Sequence, residues 1–451
     1  MSAALSWLVA VSSALAGDPL LPVDTALPSG LVVRTIEDPS LPLVSVLLMV
    51  PGGSIHDPAD RLGTADLTAR LLPEGTTAHD ALALADALED LGTRLDVSAG
   101  AAFTTLSASF LAEDWIAGLD LVAEVATSPR LTARDLRAEK ARALQELAVD
   151  LDDAQSVASR VTYQELFGEH PFGRPESGTA ASLARVTARD LRAFHAAQYR
   201  PRGAVLCVVG DVRVAQVQAA AEAAFAGWEG QAADPGLPPL PDPWSGVQKV
   251  LVDLPGQSQV QVRIAHRAVP RAHPEHEALR LGSALLGGGF TSRLMDLLRV
   301  QHALTYGADS SLWSFDREAV LSADFSTGNE SAREALELAW GAIQGWRAGG
   351  WGDEEFDRAR AYTLGMVPQV LETRAARAWT LAVMDYQGLP ADHMARRVST
   401  IEALERPGVE AAVARAFTGD GWLVVVVGDL DVVRPQLEGF LGGTWEVVAA
   451  R

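Results

Sequence analysis

The chain has 451 residues, 48% of them hydrophobic and 21% charged, with a formal net charge of -21. That length and apolar content suffice for two to four packed domains and exclude a long disordered polypeptide. The acidic excess and the absence of basic clusters exclude nucleic acid as a partner, because a surface of this sign repels phosphate backbones.

The N-terminus reads MSAALSWLVAVSSALAGDPLLP. Its apolar core, Ala3–Val11, is too short to span a bilayer, and Ala14-Leu15-Ala16 is an A-x-A cleavage pattern. A signal peptide over residues 1–16 is expected, hence an exported protein, periplasmic or extracellular. No cysteine follows for a lipid anchor, so no stable membrane insertion is expected. The basic n-region is missing; the alternative is an apolar leader that stays attached.

Leu41–Val50 reads as a strand. DALALADALEDLG reads as a helix with Leu84, Leu88 and Leu91 on one stripe and Gly92 placed to stop it. TRLDVSAG and AFTTLSASFL alternate with period two and read as adjacent strands. Helices follow over Thr132–Leu151 and Thr187–Ala197. An apolar run then ends in Val208-Val209-Gly210-Asp211 and holds the single cysteine, Cys207, which is expected to be a buried, inert thiol.

Gln231–Gly246 carries a run of prolines, which remove amide donors and fix φ; an extended linker is expected. Beyond it, Gln257–Val269 alternates, with Val260, Val262 and Ile264 on one face. His273-Pro-Glu-His276 precedes EALRLGSALL and marks a helix start rather than a metal site. A second apolar run ends in Val426-Val427-Gly428-Asp429, a copy of the first. The expectation is an α+β fold of two homologous halves, residues 17–230 and 247–451, each a mainly antiparallel sheet with helices packed on one face.

The order strand, PGGS, helix to EGT, helix to LG, two strands resembles the insulinase and mitochondrial-processing-peptidase superfamily of zinc peptidases, the inverzincins. EKARALQELAVDLDDA, LFGEHPFGRPESGT, YRPRGAVLCVVGD and LLGGGFTSRLMDLLRVQHALTYGADS extend the likeness over nearly the whole mature chain. The resemblance implies halves that enclose a chamber. It also implies an H-x-x-E-H helix, whose two histidines bind zinc and whose glutamate is the general base.

Aligned on Gly63 and Glu74-Gly75-Thr76, the histidine positions hold Asp66 and Arg70, and the base position holds Ala69. Arginine offers no lone pair and alanine moves no proton. Glu146 matches the remaining zinc ligand and Glu139 its companion. No metal is therefore expected on this chain. Arg70 is expected where the cation stood, facing Glu146 and Asp66; the alternative is that Glu139 and Glu146 are solvated helix charges. His56 and His79 lie in flanking loops. No G-x-S-x-G elbow or paired C-x-x-C appears, and GGGF at Gly287–Phe290 lacks the lysine of a phosphate loop.

The same resemblance assigns substrate binding to Arg299 and Tyr306, with Gly288 and Gly289 allowing close backbone approach. A guanidinium and a phenol both donate to a carbonyl. The plain alternative is an arginine capping a helix end and a tyrosine packed in a strand. Some family members divide the work between two chains. The expectation is a zinc-free subunit of a heteromeric, exported metallopeptidase, with a homologous zinc-bearing partner and an extended peptide as substrate. The alternatives are a non-catalytic peptide-binding or assembly protein of the same fold, and an autonomous metalloendopeptidase using unrecognised residues.

Overall fold

The computed structural model describes residues 21–315 and 318–449. The leader expected at residues 1–16 lies outside them. Two six-stranded sheets carry the fold. The first comprises β1 (Val23–Ala26), β2 (Val32–Glu37), β3 (Leu43–Val50), β4 (Asp96–Ala99), β5 (Thr104–Leu111) and β6 (Val205–Gly210), in the order β1-β2-β6-β3-β5-β4. The second comprises β7 (Val247–Asp253), β8 (Gln259–Ala268), β9 (Ala308–Phe315), β10 (Glu318–Gly328), β11 (Trp422–Gly428) and β12 (Glu446–Val448), in the order β12-β7-β11-β8-β10-β9.

Apart from β1 and β12, the strand orders are the same permutation. Among the described residues of both sheets, the parallel strand pairings flank the first strand of the repeat: β2 with β6, and β7 with β11 and β12. The two VVGD strands, β6 and β11, are buried at every residue. Strands covered on both faces read as continuous apolar runs, which is why these two stand out in the sequence.

In each half a further strand precedes the one its sequence pattern marks as the first: β2 before β3, and β7 before β8. Both strands are interrupted by a basic residue that is nevertheless buried. Arg34 lies 2.7 Å from Asp385, and Lys249 Nζ donates to the Phe440 carbonyl at 2.9 Å. Ion pairing and carbonyl acceptance make such burial tolerable.

The compact units do not follow the order of the chain. One gathers residues up to Leu147, Arg174–Leu237 and Pro368–Arg396; the other gathers Ala148–Gly173, Pro238–Val367 and Arg397 onward. The first sheet is thus covered by a helix from late in the chain, Arg374–Tyr386. Its Ala378, Leu381 and Ala382 pack on Ile36, Leu47, Met49, Val205, Cys207 and Val209. Burial of Leu381 alone contributes roughly 1.5–3 kcal/mol. Thr373 caps the helix by accepting from Ala376 N at 3.1 Å. Asp38 receives Arg377 at 2.8 Å and lies 3.4 Å from Arg374. Conversely, the Ala154–Phe167 helix from early in the chain packs on β8 and β11. There Glu165 accepts from Gln248 at 2.7 Å, and the Arg267 guanidinium lies 5.6 Å from the Phe167 ring centroid.

Residues 232–246 contain no helix or strand, in keeping with their prolines. Cys207 is fully buried, and burial pushes its thiol pKa up. His170 is buried, with Nε2 3.1 Å from the Pro238 carbonyl. His276 opens the His276–Gly287 helix. No described helix is long and apolar enough to cross a membrane.

Candidate functional site

The Thr64–Leu71 helix starts at Gly63, whose φ of 87° is left-handed. Its first amides are met by a side chain from upstream: the Asp57 carboxylate accepts from Gly63 N at 2.7 Å and from Ala65 N at 2.8 Å. Burial pushes Asp57 up to about 7, against the pull of these backbone donors. This fixed start sets which residues of the helix face the Ala133–Asp152 helix.

Asp66 and Arg70 lie one turn apart. Arg70 Nε donates to Asp66 Oδ2 at 2.8 Å, and Arg70 Nη1 donates to Glu146 Oε2 at 2.6 Å. The guanidinium therefore bridges the two carboxylates flanking the position where the resembling family seats its cation. Ala69, at the general-base position, is buried and contributes a methyl group. Burial would lower the Arg70 pKa, but the two carboxylates outweigh it and the net shift is upward. Burial raises Asp66, and Arg70 holds that rise in check.

Glu139 is buried with a side chain 7% exposed and accepts a hydrogen bond from Arg142 Nη1. Arg142 also lies 4.0 Å from Glu74. Burial raises Glu139, partly offset by Arg142. Arg142 did not figure in the sequence reading; the signal available was its i, i+3 spacing from Glu139. Each helix thus supplies one arginine to these acidic groups, Arg70 to Asp66 and Glu146, and Arg142 to Glu139 and Glu74.

These residues do not fit zinc. A zinc site needs three or four nitrogen, sulfur or carboxylate donors around one point. Here the two carboxylates converge on a guanidinium that is permanently protonated. Among the described residues, no group of three or more His, Cys, Asp or Glu is placed to hold a metal ion.

Arg299 lies in a π-helix, Met295–Gln301, a rare conformation that occurs frequently at functional sites. Tyr306 precedes β9 and is 88% exposed. The Arg299 guanidinium stacks 4.9 Å from the Tyr306 ring centroid and 5.7 Å from that of Phe290, itself 79% exposed. Arg299 stands in the last turn of its helix, as a helix-end arginine would, and Tyr306 lies in the loop before β9 rather than in a strand. The glycine run serves internal packing. A Cβ at Gly287 would collide with the Ser310 backbone, one at Gly288 with Ala284, and one at Gly289 would press on the Tyr362 ring.

Known proteins match this arrangement along most of the chain. The insulinase (peptidase family M16) profile matches residues 32–180, and the peptidase M16 inactive domain profile matches residues 185–362. An uncharacterized zinc protease of Mycobacterium bovis is 31% identical over 310 residues, spanning 67% of this chain and 69% of that protein. A non-peptidase homolog of Helicobacter pylori is 26% identical over 78% of this chain and 82% of its own length. The crystal structure of a peptidase M16 inactive domain from Pseudomonas fluorescens superposes with a TM-score of 0.85 at 25% identity, covering 90% of this chain and 98% of that one. The chain belongs to the insulinase family, as a non-catalytic member in which the zinc-binding set is replaced.

Proposed function

We propose that this chain is the zinc-free subunit of a two-chain, exported peptidase, supplying Arg299 and Tyr306 to the substrate held by a homologous, zinc-bearing partner. The observation that carries this reading is the Phe290–Arg299–Tyr306 stack, an exposed phenol beside a half-buried guanidinium that two rings orient. Cation–π stacking restrains the arginine without using its hydrogen-bond donors. Both side chains remain available to a peptide carbonyl. The substrate would be an extended peptide bound through its main chain. No cofactor is assigned to this chain; zinc belongs to the partner. Export rests on the N-terminal apolar run and is tested by sequencing the N-terminus of the secreted protein.

The decisive experiment co-expresses this chain with a homologue carrying H-x-x-E-H and measures peptide cleavage by each chain alone and by the pair. Arg299→Ala in the pair is expected to lower kcat by about a hundredfold to a thousandfold, the loss typical of removing one carbonyl-polarising donor, with assembly unchanged. An equally active Arg299→Ala pair would leave a binding or assembly role in its place.

A further inference from the structure

Away from the Arg299 stack, the second unit contains three arginines around a single carboxylate. Glu277, in the first turn of the His276–Gly287 helix, accepts from Arg397 Nε at 3.1 Å; their side chains are 10% and 3% exposed. Arg280 lies on the same helix three residues further on, hence on the same face as Glu277. Arg271 sits in the turn before that helix. Arg271 and Arg280 are within electrostatic reach of Arg397, of Glu277 and of each other. Burial pushes His276 down to about 4, so this neighbour is neutral at pH 7 and adds no charge.

The charge does not balance. Glu277 neutralises one guanidinium and two are left. Burial, Arg397 and Arg271 together lower Arg280 to about 10, although Glu277 opposes them. Arg271 Nε and Glu277 Oε1 are buried without hydrogen-bond partners among the described residues. Buried charges are ordinarily paired. Arg271 and Arg280 are half-buried, whereas Arg397 is buried.

We propose that Arg271, Arg280 and Arg397 form a binding site for a phosphate group, with Glu277 fixing Arg397 in place. A phosphate group carries a charge of about -1.5 to -2 at pH 7, which matches the two uncompensated guanidiniums. Planar guanidinium forks match phosphate oxygens in geometry and bind them in pairs. A singly charged carboxylate would leave one guanidinium unmatched. The site is distinct from the proposed substrate-binding pair and independent of whether the chain acts with a partner.

The test uses the purified full chain and inorganic phosphate, titrated calorimetrically against sodium chloride at matched ionic strength. Saturable one-site binding of phosphate is expected. Arg280→Gln and Arg271→Gln, each made separately, are expected to weaken it by about tenfold to a hundredfold, the effect of losing one charge-assisted hydrogen bond. Arg333→Gln, at an exposed pair with Glu337, is expected to change nothing. A parallel titration with adenosine monophosphate distinguishes the source: tighter binding marks an esterified phosphate, equal binding the free ion. The proposal is overturned if phosphate produces no saturable binding beyond chloride, or if both glutamine variants, shown to be folded by circular dichroism, bind it as the wild type does.

Discussion

Replacing Arg70 by methionine keeps an unbranched side chain matching the arginine stem and removes the charged head, which isolates the role of the guanidinium. Arg70 is 30% exposed, Asp66 19% and Glu146 54%. Breaking a fully buried ion pair costs about 3–5 kcal/mol, whereas exposed pairs contribute roughly 0.2–1 kcal/mol. Asp66 is nearer the first limit and Glu146 nearer the second, so the expected loss near pH 8 is about 2 kcal/mol, mostly from Asp66. At about 2–4 °C per kcal/mol, that lowers the unfolding temperature of the first unit by roughly 4–8 °C. The loss depends on pH with a definite sign. Burial already raises Asp66 above its usual value, and Arg70 and Glu146 act on it in opposite directions. Without Arg70 the carboxyl rises further. A carboxyl raised in the folded state favours folding below its unfolded pKa, and that contribution disappears as pH climbs through the folded pKa. The gap between Arg70→Met and wild type should therefore widen from pH 5 to pH 8. The assay is thermal unfolding followed by near-ultraviolet circular dichroism across that range. Combining Arg70→Met with Asp66→Leu should recover most of the loss, because no charge is then left unpaired. A gap below about 0.5 kcal/mol that does not change with pH would refute the view that this guanidinium replaces a cation.

Two further outcomes follow from the same geometry. Introducing Asp66→His, Ala69→Glu and Arg70→His together rebuilds the missing donors opposite Glu146; about one zinc per chain should then survive dialysis, measured by elemental analysis, with none retained by the wild type. A folded triple variant that takes up no zinc would show that the two helices are out of register for a metal. Asp38→Ala removes the anchor shared by Arg374 and Arg377 and should speed proteolytic cleavage around residues 368–374 several-fold, read by mass spectrometry of the fragments. The Asp38 carboxyl is held low because its hydrogen bonds from Ser40 and the two guanidiniums outweigh its burial. An acid held low favours folding above its unfolded pKa and loses that contribution as pH falls through the folded one. The anchor should therefore persist at pH 5 and fail only at a pH below the usual aspartate range.

The parts of this structure that were legible in the sequence are those where local pattern and tertiary demand coincide. The VVGD strands are buried on both faces and so apolar throughout. Gly92 has the positive φ, 66°, that ends a helix. Asp66 and Arg70 share a helix face because their spacing is four. The sheet partners β2 and β7 were hidden by Arg34 and Lys249, which are buried only because acceptors elsewhere in the fold meet them. The exchange of the Ala154–Phe167 and Arg374–Tyr386 helices left no local trace, because an apolar helix face specifies that it must be covered and not by which sheet. The π-helix at Met295–Gln301 has no mark of its own in the sequence, since a single wider turn hardly alters the periodicity. The stack of Phe290, Arg299 and Tyr306 joins residues up to sixteen apart (306 - 290) and depends on that turn.

The traded helices constrain how such a gene could be divided. A cut anywhere in residues 232–246 would yield two polypeptides, each lacking one helix that covers its own sheet and each carrying a helix that belongs on the other's sheet. Each product would need the other's helix to bury the face of its sheet left open. The proline-rich stretch is thus a place where the main chain can be broken but where the protein cannot be halved, and a modern descendant encoded as two genes would be bound to keep them co-expressed.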